Sequence, residues 1–367
     1  MSVPTHRLTI NIHLLGTAGE PPYMKIAELA TVNNPTSIHG IYPYRGKISA
    51  VDAEGIIKQF DPRARVLDPF CGSGTIIYEA VRKGHKAFGV DANPIAEIIA
   101  AGKVSMTEPL DSYLLEAEAI IAAAKSLKEF DFSISAAKHF HEDSFKEIQA
   151  TSKFFEQMSP YLQACFVGSI ALTARGCNHY MWTSSTVGKD MNPKRYIDFY
   201  EKFLQKIKKH YFPVKSGMGK IHFGDARNLK PFLKPKSIDV VFSSPPYFDC
   251  LDYTAYYARI VYSFLEVNHL EIKAELIQQF SSYKEDMALV MEQLDRVLVP
   301  GGKVIFVVGD KKVHGKVIQG EAFFDEISPW KKISSIERTY KGTSSAVFDS
   351  INKTERKEQV LVWQKKK

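Results

Sequence analysis

The sequence predicts an α/β protein with a doubly wound, mostly parallel sheet that is interrupted by a helical insertion. From Arg65 onward, strand-like and helix-like segments alternate, which is typical of βα units on a parallel sheet. Between residues 105 and 218 the apolar residues follow helical spacing, and no convincing strand occurs. Strand-like segments resume near residue 220, so we expect both ends of the insertion to return to one sheet.

The first half of the predicted sheet comes from two strands and the helices that follow them. In chain order the segments are the strand VLDPF at 66–70, the loop CGSGT at 71–75, the helix IIYEAVRKG at 76–84 and the strand KAFGVD at 86–91. A second helix is expected to begin at Pro94, because proline suits a first helical turn and Asn93 supplies a cap.

The second half of the sheet follows the insertion. Its segments are the strands KIHFGD at 220–225 and IDVVFS at 238–243, the helix EDMALVMEQLDRVL at 285–298, and the strands KVIFVVGD at 303–310 and EQVLVWQ at 358–364. Met287, Val290 and Leu294 lie on one face of that helix at helical spacing, and Pro-Gly-Gly follows it.

Composition restricts the class of protein. With 367 residues, 45% of them hydrophobic and 24% charged, the chain is typical of a globular protein with room for two domains. The four cysteines form no C-x-x-C pair, so we expect no metal site and no disulfides, and a cytoplasmic location. The longest apolar run, at 164–174, is too short to span a bilayer, and no membrane partner is expected.

The positive charge is concentrated in two segments. The net charge is +7; residues 194–220 hold eight Lys or Arg against two Asp or Glu, and residues 331–367 hold ten against four. Such clustering favours nucleic acid as a partner, although a solvated helix face explains either segment alone. In the first segment we expect Lys206, Lys208 and Lys209 to contact phosphates.

A loop with two glycines and two acidic residues predicts a nucleoside site. Gly72 and Gly74 allow a tight turn that a ligand approaches closely. Asp91 ends the next strand nineteen residues after Gly72, where a carboxylate accepts from ribose hydroxyls. The third glycine of the dinucleotide fingerprint is missing, which favours a nucleoside with a short charged tail over a pyrophosphate. Asp68 suits a cationic tail, or else it caps the following turn.

The stretch SSPPYFDC at 243–250 leaves the buried strand IDVVFS through two prolines. Pro245 and Pro246 stop strand pairing and stiffen the chain, while their carbonyl oxygens remain able to accept hydrogen bonds. With the Ser244 hydroxyl and the Tyr247 ring, they predict a site for a flat group that carries N–H. The alternative is a strand that simply ends in a proline turn.

Several motifs together resemble those of the S-adenosylmethionine-dependent amino methyltransferases that act on DNA, especially the cytosine-N4 type. The motifs are DPFCGSGT at 68–75, GVDANP at 89–94, GDARNL at 224–229 and SPPY at 244–247. HGIYPYRGK at 39–47 resembles the family segment that closes over the methionine end of the cofactor. The resemblance implies a seven-stranded Rossmann-like methyltransferase sheet and S-adenosylmethionine as the cofactor.

The resemblance also implies a role for each matching residue. The cofactor-binding residues would be Asp68, Pro69, Phe70, Gly72, Gly74, Thr75, Asp91, Asp225 and Lys47. Asp68 would lie near the cofactor ammonium, Asp225 would accept from the adenine amino group, and Lys47 would neutralise the methionine carboxylate. The catalytic residues would be Ser244, Pro245, Pro246 and Tyr247. The Ser244 hydroxyl and the Pro245 carbonyl would accept the two hydrogens of a base amine, and Tyr247 would stack on a flipped base.

The same resemblance divides the chain into three parts. Residues 1–104 hold an N-terminal segment and the cofactor-binding half, residues 105–218 a target-recognition insertion, and residues 219–367 the catalytic half. Polar and aromatic residues at 175–195 are of the types that contact bases and phosphates, although an ordinary connection explains them equally well. A second Pro-Pro-Tyr at 21–23 follows no apolar strand and is not expected to be catalytic.

The leading hypothesis is a DNA methyltransferase that forms N4-methylcytosine at a specific sequence in double-stranded DNA. It would be associated with the nucleoid and would have a cognate restriction endonuclease as a further partner. An N6-adenine enzyme on the same framework is an alternative, although the serine of SPPY is more often acidic or an amide there. An RNA guanine-N2 methyltransferase is disfavoured by the short segment before HGIYPYRGK. A non-catalytic nucleic-acid binder is the remaining alternative.

Overall fold

The computed structural model describes residues 37–44, 48–174, 195–246, 254, 257–313, 316–341 and 355–367. The strands in this part of the chain are β1 (Arg65–Asp68), β2 (Lys86–Asp91), β3 (Met218–Phe223), β4 (Ile238–Ser243), β5 (Leu298–Gly309), β6 (Lys311–Val313), β7 (Lys316–Ile318), β8 (Lys331–Lys341) and β9 (Glu355–Gln364). The helices are α1 (Ala50–Ile57), α2 (Thr75–Arg82), α3 (Pro94–Val104), α4 (Leu110–Ser126), α5 (Glu142–Ser152), α6 (Pro160–Thr173), α7 (Phe199–Lys209), α8 (Tyr257–Phe264), α9 (His269–Glu275), α10 (Tyr283–Val297) and α11 (Gly320–Ile327).

Seven of these strands form one sheet in the order β3-β2-β1-β4-β5-β9-β8. The five strands from β3 to β5 are parallel, whereas β9 runs antiparallel to both β5 and β8. The prediction of a doubly wound, mostly parallel, seven-stranded sheet is therefore confirmed. Strand order reverses at β1 and β4, and a crevice at the carboxyl ends of such strands is where ligands bind in doubly wound sheets.

Local sequence explains the elements on either side of this crevice. Gly74 adopts φ +72° immediately before α2, a conformation that favours glycine. Pro94 occupies the first turn of α3, and the Asn93 side chain accepts a hydrogen bond from the Ile95 N–H at 3.0 Å, as the sequence predicts. β3 begins two residues before the predicted KIHFGD segment.

The helices α4 to α7 fall within residues 105–218, and α6 packs against the sheet-covering helix α3. A Cβ at Gly102 of α3 would lie 2.4 Å from the Ala164 Cβ of α6, so these two helices approach closely. One apolar cluster joins both helices to α5, α7 and α8. The division of the chain into three parts, with target recognition in the insertion, stays a prediction.

The structure corrects the expectation for Lys206. This residue lies on α7 but is only 5% exposed, and its ammonium donates to the Ile41 carbonyl at 2.8 Å. Lys208 and Lys209 are exposed. Only those two lysines of the predicted phosphate-binding set therefore face solvent, because helical periodicity turns the third toward the core.

Candidate active site

One cavity lies at the carboxyl ends of β1, β2 and β4. Nine of the sequence-predicted site residues line it: Asp68, Pro69, Phe70, Gly72, Thr75, Asp91, Asp225, Ser244 and Pro246. The fold thus brings the predicted cofactor loop and part of the predicted catalytic corner to one site. Parallel strands deliver their carboxyl ends to the same edge of the sheet, which is why motifs so distant in sequence meet here.

The glycine loop forms one wall of this cavity. Gly72 has φ +48°, and a Cβ there would lie 3.1 Å from the Tyr44 ring, so the two groups are in close contact. Gly74 does not line the cavity; a Cβ there would lie 2.7 Å from the Ala100 Cβ. The second glycine is therefore required by the packing of α2 on α3.

Asp91 joins the glycine loop to the loop after β2. Its Oδ2 accepts from the Gly72 N–H at 2.7 Å and its Oδ1 from the Asn93 N–H at 2.9 Å. Burial raises the pKa of this carboxyl to about 6, against the two backbone hydrogen bonds that lower it. Each oxygen keeps a further lone pair for a ligand hydroxyl.

Asp68 is the more deeply buried carboxyl, with 2% of its surface exposed. Its Oδ1 accepts from the Ser243 hydroxyl at 2.6 Å and from the Phe70 N–H at 3.1 Å. Burial raises its pKa to about 7, and the charge of Asp91 adds to that shift. Sequence reasoning gave Ser244 a role and missed Ser243, although the neighbouring ends of β1 and β4 place the latter beside Asp68.

Two buried hydroxyls also line the cavity. Within the described residues, neither Ser73 Oγ nor Thr75 Oγ1 has a hydrogen-bond partner. Buried polar groups in proteins are normally hydrogen-bonded, so these two indicate a polar ligand or water. Two buried carboxyls and two unpaired hydroxyls fit a nucleoside that carries both a cationic and an anionic group, as S-adenosylmethionine does.

Asp225 lies at the other end of the cavity and is paired with Arg227. Its Oδ2 accepts from the guanidinium Nε at 2.8 Å and Nη2 at 2.6 Å, and its Oδ1 accepts from the Arg227 N–H at 2.8 Å. The guanidinium also donates to Asp286 Oδ1 at 2.7 Å and to the Glu275 carbonyl at 2.9 Å. The carboxylates of Asp225 and Asp286 raise the pKa of the Arg227 guanidinium through their hydrogen bonds and charge. Sequence reasoning gave Arg227 no role, although this residue belongs to the motif GDARNL at 224–229.

The catalytic corner is described only in part. Ser244 and Pro246 line the main cavity, whereas Pro245 and Pro246 line a smaller one beside it. The Tyr283 hydroxyl of α10 donates to the Pro246 carbonyl at 2.6 Å, a contact that sequence reasoning did not find. Tyr247 and Lys47 lie outside the described residues, as do the second Pro-Pro-Tyr at 21–23 and residues 175–194.

Further residues line the cavity that were not among the predicted site residues. They are Tyr44, Ile48, Cys71, Ser73, Ile76, Ala92, Asn93, Ala226, Glu275, Leu276 and Ile277. Tyr44 belongs to HGIYPYRGK, so the motif contained a signal for it. Glu275 ends α9, and Leu276 and Ile277 follow it; that sequence carries no motif, and only the fold brings these residues to the cavity.

The fold and this site define an S-adenosylmethionine-dependent methyltransferase. The family model described as "D12 class N6 adenine-specific DNA methyltransferase" matches residues 51–306, well over half of the chain. The chain therefore belongs to this family of DNA methyltransferases, with S-adenosylmethionine as cofactor and DNA as substrate. In the described residues, no helix is both long enough and apolar enough to cross a membrane.

Individual proteins are more distantly similar. The type II methyltransferase M.MjaII of Methanocaldococcus jannaschii is 21% identical over 383 aligned positions, which cover 75% of this chain and 72% of that protein. A solved S-adenosylmethionine-dependent methyltransferase from Methanosarcina mazei has a TM-score of 0.33 at 10% identity, covering 84% of this chain and 94% of the other. TehB from Haemophilus influenzae has a TM-score of 0.35 at 9% identity, covering 86% and 62%.

The family corrects the predicted target base. The hypothesis of a cytosine-N4 enzyme of the SPPY type is wrong, because the matching family is specific for N6 of adenine. The prediction of cytosine as the target base depended on Ser244 and on the resemblance to the cytosine-N4 methyltransferases. A serine hydroxyl and a proline carbonyl are neutral acceptors for any exocyclic amine, so that motif does not distinguish cytosine from adenine.

Proposed function

We propose that the protein transfers a methyl group from S-adenosylmethionine to the exocyclic N6 of adenine in DNA. The family match over residues 51–306 supports adenine as the target. The observation that carries the proposal is that Ser244 and Pro246 line the same cavity as Asp68, Gly72 and Asp91. A base amine held at Ser244 would therefore lie next to a cofactor held by the glycine loop.

The residues act by binding and orientation. Asp68 and Asp91 supply buried carboxylates for the cationic end and the ribose, and the Ser73 and Thr75 hydroxyls supply donors for the carboxylate end. When bound, S-adenosylmethionine supplies an electrophilic methyl group on its sulfonium sulfur. The described cavity fits this group because it offers both acceptors and unpaired hydroxyls.

The adenine amine needs activation because its lone pair is delocalised into the ring. The Ser244 hydroxyl and the Pro245 carbonyl accept its two hydrogens, so the nitrogen becomes more tetrahedral and its lone pair points toward the cavity. This is catalysis by orientation and electrostatics. Methyl transfer would form the N6–methyl bond, break the sulfur–methyl bond so that S-adenosylhomocysteine leaves, and release one amine hydrogen to water as a proton. A base flipped out of the duplex gives access to the amine. Tyr247 is proposed as the stacking surface.

Partners and target recognition extend the proposal. Helices α4 to α7, with residues 175–195, are proposed to read the target sequence on double-stranded DNA, and the exposed Lys208 and Lys209 are proposed to contact phosphates. A cognate restriction endonuclease and association with the nucleoid also stay proposals. Electrophoretic binding assays on duplex and single-stranded DNA would separate the substrates.

Nucleoside analysis tests the proposed reaction. Duplex DNA is treated with the purified protein and S-adenosylmethionine, digested, and examined by mass spectrometry. We expect N6-methyladenine as the product. For Ser244→Ala we expect the activation free energy of methyl transfer to rise by about 2.7–4 kcal/mol or less, since one oriented group is removed. DNA that gains no N6-methyladenine would refute the proposal.

A further inference from the structure

The segment Ser37–Tyr44 is attached to the protein by buried polar side chains. His210 Nδ1 donates to the Ser37 carbonyl at 2.8 Å, and His39 Nε2 lies 3.0 Å from Glu79 Oε1. The Lys206 ammonium donates to the Ile41 carbonyl at 2.8 Å. The segment is therefore anchored at Ser37, His39 and Ile41, and two of these contacts come from the last turn of α7 and its C-cap.

The Ile41 carbonyl lies between two helices. On one side is Lys206 of α7; on the other is Gly168 of α6, where an added Cβ would be only 2.0 Å from that carbonyl oxygen. Ile41 itself is fully buried. Close helix packing and one ammonium thus fix the position of this single peptide group.

The far end of the segment reaches the cofactor cavity. Tyr44 lines that cavity, and its ring is in contact with Gly72 of the glycine loop. The Tyr44 N–H donates to the Tyr42 carbonyl at 2.8 Å, which ties the ring's backbone to the buried part of the segment. A shift at Ile41 would therefore be transmitted to Tyr44 within three residues.

A buried ammonium is an expensive way to hold a carbonyl. Desolvation of the charge costs stability, and the hydrogen bond to the buried Ile41 carbonyl offsets part of that cost. A methionine at position 206 has a similar length and would fill the same space, but it cannot donate to that carbonyl. The ammonium therefore fixes the position of Ile41 in a way that an apolar side chain would not.

We propose that Lys206 is a positioning residue for S-adenosylmethionine: by fixing the Ile41 carbonyl it holds Tyr44 against Gly72 at the cavity. This role concerns the cofactor and does not depend on which base is methylated. It also connects α7, which belongs to the predicted recognition insertion, to the cofactor site through one side chain.

The test compares Lys206→Met with the unaltered full-length protein. We expect calorimetry to show S-adenosylmethionine binding at least tenfold weaker, while urea denaturation shows that the variant still folds cooperatively, with some loss of stability because the buried Ile41 carbonyl loses its donor. In the cofactor-free protein, the amides of Gly40, Ile41 and Tyr44 should exchange hydrogen faster. Lys206→Gln keeps a donor without the charge and provides a second folded variant, for which a smaller loss of affinity is expected.

Two controls separate positioning from other roles. Lys202→Met removes a charge from the same helix whose hydrogen bond to Gln205 is exposed, and we expect unchanged cofactor affinity. Tyr161→Phe removes the hydrogen bond to the Ile207 carbonyl at 2.7 Å, so it should destabilise the packing of α6 and α7 without weakening cofactor binding. The proposal is overturned if both Lys206 variants bind S-adenosylmethionine within twofold of the unaltered protein. It is also overturned if Tyr161→Phe weakens binding as much as Lys206→Met does.

Discussion

The two ends of the cofactor cavity stabilise their carboxylates in opposite ways. Asp68 and Asp91 accept only from neutral groups in the hydrogen bonds described here, and burial raises their pKa values to about 7 and about 6. Asp225 is paired with the guanidinium of Arg227, which also contacts Asp286. A guanidinium stays charged at every ordinary pH. The first end is therefore prepared to receive a cation, whereas the second is already neutralised.

The largest expected effect comes from removing a carboxylate at the first end. Asp91→Ala deletes an acceptor for the ribose and also releases the Gly72 and Asn93 N–H groups. We expect S-adenosylmethionine binding to weaken by roughly 1–3 kcal/mol, measured by calorimetry on protein shown to be folded by circular dichroism. Unchanged affinity would show that Asp91 does not bind the cofactor.

Breaking the ion pair at the second end should affect stability instead. Arg227→Met leaves Asp225 and Asp286 without their guanidinium, and we expect the free energy of unfolding to fall by about 1–2 kcal/mol, since both pairs are partly exposed to solvent. Cofactor affinity should change less than threefold. Arg65→Met is a matched control, because Arg65 makes a similar pair with Asp239 at the opposite edge of the sheet, 2.6 Å from Nη2 to Oδ1. A tenfold loss of affinity confined to Arg227→Met would contradict the comparison.

The first end of the cavity was largely predictable from sequence, and the second was not. Asp68 and Asp91 end strands with strong apolar patterns, and Gly72 lies in the loop after the first of them, so their common location follows from the topology of a parallel sheet. The pairing of Arg227 with Asp286 depends on how α10 packs beside the loop after β3. Side-chain pairing across such a distance leaves no periodic signal in the sequence.

Two further differences have simple physical causes. β8 has the sequence KKISSIERTYK, whose many polar and charged residues weaken any strand pattern; it forms an edge strand because β9 pairs with it. Lys206 lies in a run of basic residues, and composition alone favoured solvent or DNA as its environment. The helical period of 3.6 residues, combined with tertiary packing, buries it while its neighbours remain exposed.

The raised pKa values of Asp68 and Asp91 make the stability of the folded protein and its cofactor affinity depend on pH. Both folded-state pKa values lie above the unfolded value of 3.8, so the protonated carboxyls favour the folded cofactor-free protein below about pH 4. That contribution is lost as pH rises through 6 and 7. Cofactor affinity should change in the opposite direction, because a cationic ligand prefers ionised carboxylates.

We expect S-adenosylmethionine affinity to fall about tenfold between pH 8 and pH 6, since Asp68 takes up a proton over that interval. Calorimetry in two buffers of different ionisation enthalpy would also show proton release on binding near pH 6.5. Asp68→Asn is the control, and its affinity should be weaker but nearly independent of pH. An affinity that rises on acidification would contradict the assignment of this end to a cation.

The smallest expected effect concerns the Tyr283 hydroxyl, which lies outside both ends and holds the catalytic corner. The ring is 3% exposed and packs 5.3 Å from the Phe323 ring, while its hydroxyl donates to the Pro246 carbonyl at 2.6 Å. Tyr283→Phe keeps the ring and removes that donor, so the peptide group that follows Pro246 loses one fixed orientation. We expect methyl transfer to slow by an amount equivalent to about 0.5–1.5 kcal/mol.

This effect should appear in kcat and not in cofactor binding, because neither the glycine loop nor Asp91 contacts Tyr283 in the described hydrogen bonds. Single-turnover transfer to DNA and calorimetry with S-adenosylmethionine measure the two quantities separately. Phe323→Leu is a matched control that loosens the same aromatic contact while leaving the hydrogen bond in place, and it should preserve the transfer rate. Equal slowing in both variants would show that Tyr283 acts through packing and that its hydroxyl does not orient the corner.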